Sequence, residues 1–499
     1  MMTFKTKLIA GIAVTAFSLM SSTAFADNIL RFGQTATLPN LNPYTLAPAY
    51  GPLVNNVFDS LTRYDDDLTP QPRLSESWEF SEDGKTLTMK LRSGVTFHSG
   101  RAFTSADVKY SMDYVTNPDN GALISGFAKR IVSLETPDDL TVVMNFETAF
   151  PGVFDLLELF YIIDSESASD FSQTAVGTGP FKVTSHSPGT VTAFEKNDGY
   201  WNGAPNLDGF EIVVAPNQQA GILSLKSGDL DLMTELGWVD VAPFSRDGDF
   251  VTGTTPSGVG YDLSLNLKTP ALQNKAVREA IDLSLDRKRI ANLLFGPQGK
   301  TWCLPYSSNS LAYFEEYDNC EYDLDKAKTV LEGAGVDLPL EIKILTSSEI
   351  RTQYTTISEI LQADLAKIGI NLSIENADAV GYRSTYVDKR DYEIASHAFG
   401  RAGKDPSSLL ETTVVFRPDG NITSYENAAY TEAVKAGGST PVLDERRAAY
   451  KEVARIFRED RFILPIIPSI FLYVAPTSVS DLQWSADGFV ILEDAKITE

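Results

Sequence analysis

The chain has few of the residues on which metal and redox chemistry depend. Its 499 residues hold only 2 cysteines and 3 histidines. That count excludes a zinc ribbon, an iron–sulfur cluster or a many-histidine metal cage. Basic residues are also scarce, 42 Lys and Arg against 67 Asp and Glu, a net charge of −25. Nucleic-acid binding rests on clustered Lys and Arg, so no nucleic-acid partner is expected. There is no repeat of 20–50 residues and no low-complexity tract. After the N-terminal region no apolar run is long enough to span a bilayer. Catalytic signatures are missing too: no G-x-S-x-G, H-E-x-x-H or Walker loop, and Gly258-Val259-Gly260 lacks a third glycine. His98, His186 and His397 are isolated and offer few ways to assemble a His-assisted nucleophile. Neither enzyme, cofactor nor metal is expected.

What is present is a soluble, well-packed composition, 43% apolar with 10% aromatic residues, and a length of several lobes. Lys5 and Lys7 precede the uncharged run Leu8–Met20, then Ser21-Ser22-Thr23 and Ala24-Phe25-Ala26. This is the layout of a secretory leader, with cleavage expected after Ala26. Export in turn suggests that Cys303 and Cys320, 17 positions apart, pair in an oxidising compartment. Such a loop is worth roughly 3 kcal/mol by chain entropy.

Local patterns read as mixed α/β. Residues 28–34 alternate as a strand, and Asp83-Gly84 joins two alternating runs as a hairpin. Val277, Ala280, Ile281 and Leu285 recur at helical spacing, with Asp286 and Asp323 placed to cap the next two helices. Ile357–Ile368 forms an apolar helical stripe ended by Gly369, and Ile370–Ile374 alternates as a strand. A late helix shows Ala449, Val453, Ile456 and Phe457, and Phe462–Val474 is β-rich.

Three segments together carry a resemblance. The first runs through Val57–Thr62, Pro70–Trp78 and Leu91–Val108. The second is Gly177–Phe181 with Asn197–Trp201, and the third is Asn266-Leu267, Val277–Ile281 and Asp286-Arg287. In this order and spacing the chain resembles the family 5 extracellular solute-binding proteins of ABC importers, the peptide, opine and nickel group. The resemblance implies an α/β fold of the two-lobed periplasmic binding protein type (class II, cluster C) with an additional inserted α/β domain and a hinged cleft. It implies a leader at 1–26 and a first lobe from 27–58, 176–262 and 477–499. The inserted domain would be 59–175 and the second lobe 263–476. It implies a monomer in the periplasm of a Gram-negative cell, partnered by an ABC permease and ATPase complex in the inner membrane. The solute would be peptide-like. An oligosaccharide or nickel chelate, or a ligand-sensing role beside a membrane receptor, are the alternatives.

Scaffold readings accompany most of these motifs. His98 reads as a hydrogen-bonded scaffold residue, Tyr200-Trp201 as a buried anchor, and Arg278 as an ion-pairing residue. Peptide-binding relatives set an Asp four residues before the proline of a Gly-Trp…Asp-Pro segment. Here that position is Ala402, which leaves Asp405 either to take the role or to cap the following helix. The relatives' carboxylate-binding Arg falls in register at Ser348, three residues before Arg351. Arg383 and Arg401 are further cationic candidates, and His397 is the candidate for a nickel chelate. Tyr44, Trp238, Tyr261, Trp302 and Tyr306 occur in loops that the family directs to the cleft, where aromatic faces stack on sugars or apolar side chains. Trp238 is the preferred pocket aromatic.

Overall fold

The structure, a computed structural model, describes residues 28–45, 50–167, 170–400 and 403–498. The leader expected at 1–26, with its cleavage site, and the candidate Arg401 lie outside the described residues. No helix among the described residues is long and apolar enough to cross a membrane.

Strand Ile29–Gln34 buries Leu30 and Phe32 and lies between Gly209–Val214 and Leu232–Leu236, parallel to both. Around it a seven-stranded sheet runs in the order 250–255, 471–476, 232–236, 29–34, 209–214, 191–196, 181–187. A five-stranded sheet, 370–376, 340–346, 394–399, 260–265, 463–468, organises the second body. The chain crosses between them at 256–259 and 469–470. The crossings are tied together where Ser469 N–H donates to the Val259 carbonyl at 2.8 Å and Ser257 Oγ donates to the Ser469 carbonyl at 2.7 Å.

These crossings move the boundaries expected at 262 and 476. Strand Gly260–Leu265 is buried throughout and pairs with Ile394–Phe399 and Ile463–Pro468, so it opens the second sheet. Strand Phe471–Pro476 pairs with Phe250–Thr255 and Leu232–Leu236, so it closes the first. Apolar alternation predicts a strand and is silent about which sheet it joins.

A third, antiparallel sheet of four strands, 75–80, 86–91, 141–146 and 131–138, forms the inserted body. The hairpin turns at Asp83-Gly84, with Gly84 at φ 67° as the turn requires. Helix Ser105–Thr116 packs Val108, Met112 and Val115 inward and begins in a capping box between Thr104 and Asp107. In the second body Asp286 accepts from Arg289 N–H at 3.0 Å, and Asp323 accepts from Asp325 and Lys326 N–H at 3.0 and 2.9 Å. Both are helix N-caps. Arg278 makes no ion pair among the described residues. Its guanidinium donates to the carbonyls of Leu272, Gln273 and Asp460, closing helix and loop ends with one buried side chain. Cys303 and Cys320 are disulfide-bonded, with Cα atoms 5.6 Å apart.

The inserted body is fastened to the first lobe by packed polar groups. A Cβ at Gly177 would lie 2.0 Å from the Val57 carbonyl oxygen, so only glycine permits this approach. Beside it His98 donates from Nε2 to the Gly179 carbonyl at 3.0 Å, while its Nδ1 accepts from Gly177 N–H at 3.4 Å. Burial pushes this imidazole down to about 4, so it is neutral in the fold. A histidine whose folded value lies below its unfolded one favours the fold above pH 6.5 and loses that contribution as pH falls toward 4. Acidification over this window should therefore cost on the order of 3 kcal/mol at this site. Urea unfolding at pH 7 and pH 4.5 checks this, with His98→Gln expected to show the shallower pH dependence. Identical slopes in the two proteins would contradict it.

Candidate functional site

Two cavities flank the half-buried Trp484 of the C-terminal tail, whose ring packs on Tyr473 at a centroid distance of 5.2 Å. The first, of about 270 Å³, opens at the carboxyl ends of the parallel strands Ile29–Gln34 and Leu232–Leu236. Gln34, Thr35, Glu235, Phe471 and Phe489 are among its walls. Ligands of open α/β sheets collect at such strand ends. The second, of about 290 Å³, lies on the crossings. Pro256, Val259 and Ile470 form its floor, with Tyr64 of the inserted body and Trp302 and Lys300 of the second lobe around it. The second is thus walled by more than one body, while the first opens beside it on the first lobe; both are concave and mixed polar and aromatic, of the kind that holds small solutes.

Cationic character comes from the second lobe. Arg351 precedes helix Thr352–Leu365, and its guanidinium stands 5.9 Å from the centroid of the Tyr261 ring. Tyr261 is buried in strand Gly260–Leu265 and meets Tyr354 edge-on at 6.3 Å. Half-buried Arg351 forms no ion pair or side-chain hydrogen bond among the described residues, so its donors are uncommitted. Across from it Glu235 on the first lobe has a carboxyl raised above its ordinary value by enclosure and drawn back by the Arg351 charge.

Trp238 is where the lobes touch. It begins a short helix, Trp238–Val241, after Leu232–Leu236, and its indole covers Gly296 at the end of helix Arg287–Phe295. Gly296 has φ 60°, and a Cβ there would come 2.2 Å from the indole Cδ2. Glycine is required by conformation and by contact.

Arg351, Tyr261 and Trp238 are not among the residues lining either cavity, and most of the other candidates lie elsewhere. Tyr44 is a core residue: it is fully buried, donates to the Tyr161 carbonyl and stacks on Tyr114 at 5.8 Å. Tyr306 is likewise buried in the second-lobe core, whereas Trp302 lines the second cavity. Asp405 has no free carboxylate. It caps helix Pro406–Thr412 through Ser407 N–H at 2.9 Å and pairs with Arg446 at 2.6 Å. His397 hydrogen-bonds to Asp262 through Nδ1 at 2.9 Å and packs on Tyr386 at 5.0 Å. Arg383 is exposed in the last turn of helix Ala379–Arg383 and lines neither cavity.

Sequence reasoning missed Trp484, Glu235 and Lys404. Nothing local marks them, because their places depend on the tail and on a strand irregularity.

The family model "Bacterial extracellular solute-binding proteins, family 5 Middle" matches residues 69–420. A glutathione-binding protein of Pectobacterium atrosepticum is 27% identical, spanning 100% of this chain and 99% of its own. Di/tripeptide-binding protein 1 of Pseudomonas aeruginosa is 26% identical, spanning 93% of each. NikA of Brucella suis, solved with Fe(III)-EDTA, matches with a TM-score of 0.83 at 22% identity, covering 94% of this chain and 99% of that one. DppA of Helicobacter pylori, solved with the peptide STSA, matches at 0.74 and 22%, covering 94% and 98%. These structural likenesses concern the fold, the two-lobed arrangement with an inserted domain.

Proposed function

The chain belongs to the family 5 bacterial extracellular solute-binding proteins, and on that footing we propose that it captures a peptide or peptide-like solute, such as an opine-type amino-acid conjugate. The solute is held between the lobes and delivered unchanged to an ABC permease and ATPase complex in the inner membrane. The protein acts as a periplasmic monomer exported by the leader at 1–26, and binding rather than turnover is the event. A ligand touching both lobes favours the closed state by its differential contacts.

The observation that carries this reading is Arg351, a half-buried guanidinium 5.9 Å from the Tyr261 ring, with no ion pair or side-chain hydrogen bond among the described residues and near enough to Glu235 of the first lobe for its charge to act there. A planar fork of donors suits a carboxylate. A thermal-shift screen over di- and tripeptides, opine conjugates, neutral oligosaccharides and nickel chelates tests it. Stabilisation by carboxylate-bearing peptides or opines is expected; stabilisation by neutral oligosaccharides alone would reject it. In calorimetric titration Arg351→Gln should weaken carboxylate ligands about ten- to a hundredfold, the worth of a charged hydrogen bond. Unchanged affinity would remove Arg351 from the site.

Trp238→Ala should weaken every ligand about tenfold by removing the contact with Gly296, since each 1.4 kcal/mol lost from closure is a factor of ten. The melting temperature of the unliganded protein should stay within a few degrees. A collapse of that temperature would make Trp238 a core residue of the first lobe.

A further inference from the structure

The strand that carries Glu235 is irregular at that point. Met233 pairs with Val474 and Leu236 with Leu472, so three steps on one strand oppose two on the other. The extra residue is a β-bulge, a device that re-aims a side chain. Glu235 itself sits at φ 58°, in the left-handed region that non-glycine residues rarely occupy. The fold thus holds a glutamate in a rare conformation on the wall of the first cavity.

That carboxylate has no hydrogen-bond or ion-pair partner among the described residues, whereas Asp240 and Asp65 have theirs. Asp240 accepts from Gln218 at 2.6 Å and Gln219 at 3.0 Å. Asp65, on the second cavity, accepts from Thr69 N–H at 2.8 Å and from Gln71 at 2.7 Å. Glu235 makes no hydrogen bond and no ion pair among the described residues, although the Arg351 charge acts on it from the other lobe. Glu235 and Arg351 are thus opposite charges on the two lobes that act on each other without forming an ion pair among the described residues. A molecule carrying both charges at its ends can satisfy each of them.

We propose that Glu235 is the anchor for the cationic group of the solute, so that a zwitterion lies with its ammonium on the first lobe and its carboxylate on Arg351 of the second. This rests on the capture of a peptide-like solute and adds its polarity. Such a ligand closes the cleft because each of its ends is held by a different lobe. A sugar, lacking both charges, would leave the two side chains unsatisfied.

The test is calorimetric titration of the full-length protein and Glu235→Gln. The probes are alanyl-alanine, alanyl-phenylalanine and trialanine, each with a free and an N-acetylated amino terminus. Gln keeps the length of the side chain, so the fold is retained; Glu235→Asn, whose residue type tolerates the left-handed region, is the second variant. Wild type should bind the free-amine form of at least one peptide tenfold or more tightly than the acetylated form, and the variants should bind both forms within about threefold. The same acetylation penalty in wild type and variants would overturn the role of Glu235 and leave peptide capture standing. So would equal binding of both forms by wild type. Failure of wild type to bind any of the probes would overturn this inference together with the reading on which it rests.

Discussion

Arg73→Met should lower the stability of the first lobe and inserted body by about 3–5 kcal/mol, the cost of breaking a buried ion pair from one side. Arg73 is packed between two carboxylates, Asp59 at 2.8 Å and Glu493 at 3.1 Å, and Asp59 is fully buried. Asp59 also accepts from Trp201 Nε1 at 2.8 Å, Thr178 Oγ1 at 3.1 Å and Tyr200 at 3.2 Å. Desolvation alone would raise the Asp59 carboxyl, and Arg73 is the largest influence that brings it below its ordinary value. Met fills most of the volume and supplies no charge, so two buried carboxylates lose their main partner. Arg63 is too far to replace it, 3.8 Å from Glu493 and itself disfavoured as a cation by burial. Trp201 lies under the Arg73 guanidinium at 4.9 Å, so its fluorescence reports the transition directly. The urea midpoint should fall sharply in the variant, and recover in part in Arg73→Lys, which restores charge without the fork. A loss under about 1 kcal/mol would show that water reaches the site and that the network is not the anchor described here.

Residues whose partners lie nearby were legible in the sequence, and those whose partners lie far away were not. Asp286 and Asp323 cap helices through the backbone two or three positions on, and Gly84 turns its own hairpin, so a short window holds the whole interaction. The stretch from Phe462 to Val474 reads as strand and is strand, yet Ser469 and Ile470 split it between two sheets. Only pairing with residues some two hundred positions earlier decides that. Arg278 looked like an ion-pairing residue because a helical arginine usually faces solvent charges; its carbonyl partner at Asp460 is 182 positions away.

The site follows the same rule. The family register falls at Ser348 and points only to the neighbourhood of Arg351, which the structure places just before helix Thr352–Leu365, and Tyr261, expected in a loop, lies buried in strand Gly260–Leu265. Tyr44 was misplaced because an aromatic in a Pro-rich loop has the same sequence signature whether it points into a cleft or onto Tyr114. The capping reading of Asp405 came from Asp-Pro alone, but Arg446, which occupies the carboxylate, is 41 residues further on. Glu235 gave no signal because its conformation is imposed by the neighbouring strand Phe471–Pro476.

Lys404 joins three parts of the molecule, and its loss should be felt in both stability and closure. The segment leaving the second sheet carries it, and it is buried against Glu158 of the inserted body and Asp487 of the C-terminal tail, at 2.9 Å from the latter. Its ammonium also lies 5.6 Å from the Tyr64 ring on the wall of the second cavity. Lys404→Met preserves the packing and strands two carboxylates, for which about 3–5 kcal/mol is expected at pH 8. Because Lys404 bridges the second-lobe segment to the inserted body and the tail beside the second cavity, ligand affinity should fall along with the melting temperature. The defect should also depend on pH in a definite direction. Burial already raises the Glu158 carboxyl above its ordinary value, and Lys404 is the chief influence holding it down. Without the lysine it takes up a proton more readily, and a carboxyl with a raised folded value favours the fold at low pH and loses that contribution as pH rises. Asp155, pushed up to about 7 by burial and by Asp405, sits beside it and is also held down by Lys404. The stability gap between wild type and variant should therefore shrink from pH 8 to pH 5, while the contribution of His98 is common to both proteins and cancels. A gap that is constant or widens on acidification would contradict the assignment. Adding Glu158→Gln to Lys404→Met should recover part of the loss at pH 8, since the carboxylate that lacked a partner is then neutral.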